Sequence, residues 1–269
     1  MRSSSSLLTL RRLALAATSV IALTAAGSAS AAFVTLAIRG APVITPNAPN
    51  PGVTTFGIGV AGQKAALGTA DLDGKKMRDI SRLAITRVDD YTRFAAGSGP
   101  RLGPYLNFWI TDGAGRYAVA ANEPTNSEWS VDYEANLGKY DFGWDYLKTK
   151  TVKFFENTDK SWLPSLGLGL TFADIGDFVI DAPDAAELTM GWTGLGTGAP
   201  RELLTNKAYG VNWVFGDTLA NYVTGRDPGY QVRDAVATAR QAIPEPGSLA
   251  LACLALFGAA AVGRRRQNA

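Results

Sequence analysis

Tyr105-Leu106-Asn107-Phe108-Trp109-Ile110-Thr111 runs through Asp112-Gly113-Ala114-Gly115 into Arg116-Tyr117-Ala118-Val119-Ala120-Ala121. Aromatic and β-branched residues dominate the first run, and such side chains suit a pleated surface better than a helix. Asp-Gly tolerates the positive φ of a tight hairpin turn, so the stretch predicts two antiparallel strands. Successive side chains of a strand point to opposite faces. Leu106, Phe108 and Ile110 are therefore expected in a core. Tyr105, Asn107, Trp109 and Thr111 form the other face, which sets large aromatics beside an amide and a hydroxyl.

Similar short runs recur on both sides, bounded by Gly, Asp, Asn and Pro: Thr54–Val60, Ile80–Val88, Trp129–Tyr133, Val152–Phe155, Leu168–Phe172, Phe178–Ile180, Leu188–Trp192, Val211–Phe215 and Tyr230–Ala237. Strands at this spacing without intervening amphipathic helices predict an all-β fold: a single antiparallel β-sandwich or jelly-roll-like domain over residues 53–243. Short helices are expected only at Arg201–Lys207 and Thr218–Val223. Residues 32–52 hold Pro42, Pro46, Pro49 and Pro51 and predict a proline-stiffened linker or loop, with Phe33–Ile38 open between a first strand and a flexible start.

The two ends have a different character. Arg2, Arg11 and Arg12 precede an apolar run Leu13–Ala26 and the small residues Ala29-Ser30-Ala31. That is the layout of a secretory signal peptide over residues 1–31, cut by signal peptidase between Ala31 and Ala32. At the other end, residues 244–269 comprise Pro244-Glu245-Pro246, an uncharged apolar run Leu249–Val262, and Arg264-Arg265-Arg266. The prolines cannot continue a helix. The run behind them would span roughly 21 Å as a helix, at the margin of membrane crossing, and the arginines supply a cytoplasmic anchor.

This C-terminal arrangement resembles the PEP-CTERM sorting signal of Gram-negative bacteria, in which a Pro-Glu-Pro motif, a short transmembrane helix and a basic cluster follow in that order. The resemblance implies transient anchoring in the inner membrane, recognition by an exosortase, and delivery to the cell surface or an extracellular exopolysaccharide matrix. It covers the tail alone and implies an address, with retention of the tail as an anchor left open.

Composition narrows the chemistry of the remaining body. The whole chain carries 26 Lys+Arg against 24 Asp+Glu; without the six terminal arginines and Glu245 the body has a net charge of −3. The basic pI is thus a property of the ends, and no basic stripe with interleaved aromatics points to nucleic acid. Histidine is absent throughout, which removes imidazole general bases and Ser-His-Asp catalysis. Cys253, the one cysteine, lies in the tail, so the body has no disulfide. There is no Gly-x-Ser-x-Gly elbow, and Gly194-Leu195-Gly196-Thr197-Gly198 runs into Ala199-Pro200 rather than opening a helix.

Three groups of residues are candidates for binding or chemistry. Tyr105, Asn107 and Trp109 on one strand face suit carbohydrate, since a sugar ring offers an apolar face and a hydroxylated edge; a covering loop or second sheet would instead make this face structural. Glu128, Asp132 and Glu134, among Glu123, Asp141 and Asp145 and several aromatics, would share one face of a strand and could supply the paired carboxylates of a glycoside hydrolase, although they depart from the Glu-x-Asp-x-x-Glu pattern of laminarinase-like enzymes. Asp174, Asp177 and Asp181 lie in a stretch without basic residues and form a weak calcium candidate, the alternative being a solvated acidic edge. Asp71-Leu72-Asp73-Gly74 fails as a calcium loop because Lys75 and Lys76 follow it. The expectation is a non-catalytic exported protein, without cofactor, that contacts polysaccharide. The alternatives are a secreted carbohydrate-active enzyme and a purely structural matrix protein.

Overall fold

The computed structural model describes residues 32–90, 104–122, 128–129, 131, 138–155, 160–189, 199–216 and 229–240. The expected signal peptide, the tail from residue 244 and the predicted helix Thr218–Val223 lie outside these residues. Within them the chain forms thirteen strands: β1 (Val34–Arg39), β2 (Val43–Pro46), β3 (Thr54–Gly57), β4 (Lys64–Thr69), β5 (Lys75–Lys76), β6 (Ile80–Arg87), β7 (Tyr105–Thr111), β8 (Tyr117–Ala121), β9 (Lys139–Phe142), β10 (Lys153–Phe155), β11 (Val179–Ile180), β12 (Val211–Phe215) and β13 (Tyr230–Ala239). Among the described residues helical structure is confined to short pieces, including Trp144–Leu147 and Ala185–Thr189 and the 3₁₀ turns Met77–Asp79 and Phe172–Ile175.

The strands build two antiparallel sheets and no barrel. One has five strands in the order β2-β3-β13-β6-β9; the other has eight, with β1-β4-β12-β7 in sequence across it. A jelly roll has eight strands in all, so the two-sheet expectation holds at the level of architecture and the finer topology differs. The predicted β7–β8 hairpin is present, with Thr111 opposite Tyr117 and Asn107 opposite Ala121. On its other edge β7 has two neighbours in succession. β12 pairs with Tyr105–Phe108, and β11 takes over at Ile110 and Thr111. The change of partner falls at Trp109, whose N–H donates to the Gly210 carbonyl and whose carbonyl accepts from the Asp181 N–H.

The core lies between the sheets. Leu106, Phe108 and Ile110 enter it as the alternation predicts, beside Trp213 and Phe215 of β12 and facing Phe56, Leu83, Ile85, Phe142 and Val232 of the five-stranded sheet. Phe56 stacks on Phe215 across the gap, centroids 4.1 Å apart. Full burial of each such side chain contributes about 1.5–3 kcal/mol.

Several local expectations are corrected. Residues 32–52 are no linker: β1 pairs with β4 and β2 with β3, so the sheet body begins before residue 53. Arg201–Lys207 forms a turn closed by a bridge from Arg201 to Ala208 instead of a helix. Leu168–Phe172 enters a 3₁₀ turn at Phe172, and Leu188 belongs to the helix Ala185–Thr189. Residues 128, 129 and 131 are helical, not extended. Residues two apart on a helix point in different directions, which is why Trp129 is fully buried while Val131 is 64% exposed.

Candidate functional site

Tyr105, Asn107 and Trp109 do share one face of β7, but that face is not open. Asn107 and Trp109 are buried and Tyr105 is half-buried. A satellite apolar cluster of Trp109, Val119, Leu188 and Ala199 covers the outer side of the sheet, with Tyr117, Ala182 and Ala208 packed against it. The Trp109 indole N–H donates to the Pro200 carbonyl at 3.0 Å. A ring enclosed on its faces with its one donor spent cannot stack on a sugar, so of the two readings of this face the structure shows the covered one. Asn107 lies opposite Asn212 in register, also buried.

Of the carboxylates proposed for hydrolysis, Glu128 is described, and Asp132 and Glu134 lie outside the described residues. Glu128 Oε1 accepts from the Thr151 N–H at 2.6 Å and from the Thr151 hydroxyl. Trp129 beside it donates its indole N–H to the Thr151 carbonyl at 3.1 Å. This set of bonds ties the helical turn to the chain entering β10, a structural use of the carboxylate. Asp141 pairs with Arg82, and Asp145 with Lys148 and Arg240.

The acidic stretch is likewise dispersed. Asp174 caps its own turn, accepting from the Thr171 N–H and hydroxyl at 2.8 Å each, and this holds its carboxyl below the usual range. Asp177 sits between Lys76 and Arg78, at 2.9 and 2.7 Å. Asp181 stands at the β11 end beside β7. The three do not converge, and among the described residues no three carboxylates gather as a metal site would require.

The structure also assembles an electrostatically unusual place outside the three sequence candidates. Asp73, from the rejected Asp71-Leu72-Asp73-Gly74 segment, rests its carboxyl against Gly210, where an added Cβ would collide with Oδ1. That oxygen is buried and makes no hydrogen bond of good geometry. Burial, then the negative charges of Asp181 and Asp71, push the Asp73 carboxyl up to about 7, while the Gly210 N–H pulls the other way. Asp181 is raised as well, by burial and by Glu187 against the Ala182 N–H. Only the fold joins these residues, because Asp73, Asp181 and Gly210 come from three separate segments.

Beside this geometry stands the one family likeness found. Residues 242–266 match the model of the PEP-CTERM protein-sorting motif. The chain therefore carries the sorting segment of an exosortase substrate at its C-terminal end, while the two-sheet body has no family assigned. No curated protein and no solved structure matches the chain. Among the described residues no helix is long and apolar enough to cross a membrane, and the run Leu249–Val262 lies outside them.

Proposed function

We propose that the two-sheet body is a non-catalytic component of the cell surface or exopolysaccharide matrix, exported through the N-terminal signal and released from its membrane tail by an exosortase. The match of residues 242–266 to the sorting motif carries this reading. The body's chemistry agrees with it. A chain without histidine lacks the commonest acid–base group, and the one described residue of the hydrolase candidate, Glu128, is engaged with Thr151. Contact with polysaccharide follows from the destination, and the covering of Trp109 argues against β7 as its site.

Replacing Pro244, Glu245 and Pro246 together by alanine tests the address. Full-length protein retained in the membrane fraction is the expected outcome. Unaltered release would overturn it.

A further inference from the structure

Among the described residues the last strand ends almost on the sorting motif. β13 runs to Ala239, and the next residue is still fixed: the Arg240 N–H donates to the Asp79 carbonyl at 2.6 Å, and its guanidinium reaches Asp145 at 3.4 Å. The sorting match begins at residue 242. From Arg240 to Pro244 are four residue steps, so a fully extended chain spans at most about 14 Å. A peptidase must enclose its substrate strand between walls, and one layer of secondary structure is already ~10 Å thick. An enzyme holding Pro244-Glu245-Pro246 therefore has no free gap between itself and the body.

The surface around Arg240 is well defined. The 3₁₀ turn Met77–Asp79, the helix Trp144–Leu147 and the 3₁₀ turn Phe172–Ile175 meet there. The Arg78 N–H donates to the Gly176 carbonyl, and the Ala173 N–H to the Lys148 carbonyl. Gly176 permits this closeness, since an added Cβ would sit 3.0 Å from the Trp144 ring. Around the exit runs a rim of exposed, mutually paired charges: Arg78 and Lys76 on Asp177, and Lys148 and Arg240 on Asp145. Each of these side chains is between 42% and 76% exposed, so its charge is available to a partner.

We propose that this rim, with Arg78, Asp145, Lys148 and Asp177 at its edge, is the docking surface for the membrane-bound peptidase that processes the tail. The inference rests on the sorting reading above and adds a second point of recognition, carried by the folded body. Rim charges of both signs, presented on rigid turns, orient the body against complementary charges at the mouth of the enzyme. Such pairs act mainly on the rate of productive encounter. Processing then depends on the body being folded, because only the fold gathers these charges around Arg240.

The test is a pulse–chase of the full chain in its own cells, following conversion of full-length to processed protein. Lys148→Glu and Arg78→Glu, separately and together, should slow processing by roughly threefold to tenfold at native spacing. A ten-residue Gly-Ser insert between Arg240 and Gln241 adds roughly 17 Å of mean reach. With this insert in place the same substitutions should have no effect. Charge variants processed at the parent rate with native spacing would overturn the proposal. So would variants equally slow with and without the insert, since that marks a folding defect. The alanine triplet at residues 244–246 separates the two readings. If it blocks processing while the rim variants behave as the parent, only the docking surface fails; if it is processed normally, the sorting reading fails and the docking surface with it.

Discussion

Asp73→Asn should stabilise the protein at pH 8 and leave it nearly unchanged at pH 4. In the folded chain the Asp73 carboxyl is pushed from 3.8 to about 7, chiefly by burial and then by Asp181. The folded state therefore holds a proton that the unfolded chain has already released throughout this window. Stability from this group is full below the unfolded value and is lost as pH rises through about 7. A shift of this size sets a ceiling of about 4 kcal/mol, and partial exposure of the carboxyl screens that to about 1–2 kcal/mol. Asparagine imitates the neutral protonated form in size and cannot ionise, so it removes the loss. For a body of this length the gain corresponds to a rise in Tm of roughly 2–8 °C. Calorimetry of wild type and variant from pH 4 to pH 8 reads the difference directly, and other carboxylates titrating in the same range cancel in the comparison. A variant no more stable than wild type at pH 8, or a difference independent of pH, would refute the reasoning.

Two further outcomes are expected. Arg87 and Asp89 form an almost fully enclosed pair, Nη2 to Oδ2 at 2.8 Å, with the Arg87 guanidinium 4.8 Å from the centre of the Tyr230 ring. Asp89→Asn removes the carboxylate that this buried guanidinium faces and should cost about 3–5 kcal/mol in urea unfolding; a loss below about 1 kcal/mol would contradict the burial. Trp109→Ala should cost about 3–5 kcal/mol through the cavity beneath Leu188 and Ala199, and retention of wild-type Tm would show the ring to be exposed.

The extent of the fold legible in the sequence followed how local its causes are. β7 and β12 begin and end where their aromatic and β-branched runs do, and the inward set Leu106, Phe108 and Ile110 follows from alternation alone. β4 was not legible. Lys64-Ala65-Ala66-Leu67-Gly68-Thr69 has low strand propensity by composition, yet it is buried throughout, between β1 and β12. Its small residues suit close approach: a Cβ on Gly68 would meet Asn212 and Tyr209. Whether the outer face of β7 is open or covered is not decided locally either. Its amide and aromatics look solvent-facing in sequence, and what covers them arrives from Ala182, Leu188, Ala199 and Ala208. The spread of Asp174, Asp177 and Asp181 into separate hydrogen bonds and ion pairs depends on Thr171, Lys76 and Arg78, partners that acidic spacing cannot reveal. Nor can a sequence reading bring Asp73 to Gly210.

The place of β13 bears on when the five-stranded sheet can be completed. It lies between β3 and β6, pairing Tyr230 with Phe56 on one side and Val236 with Ala84 on the other. Until β13 has been made, β2-β3 and β6-β9 have no middle strand to join them. A sheet whose central strand is synthesised after its neighbours depends on contacts distant in sequence, and its completion waits for that strand.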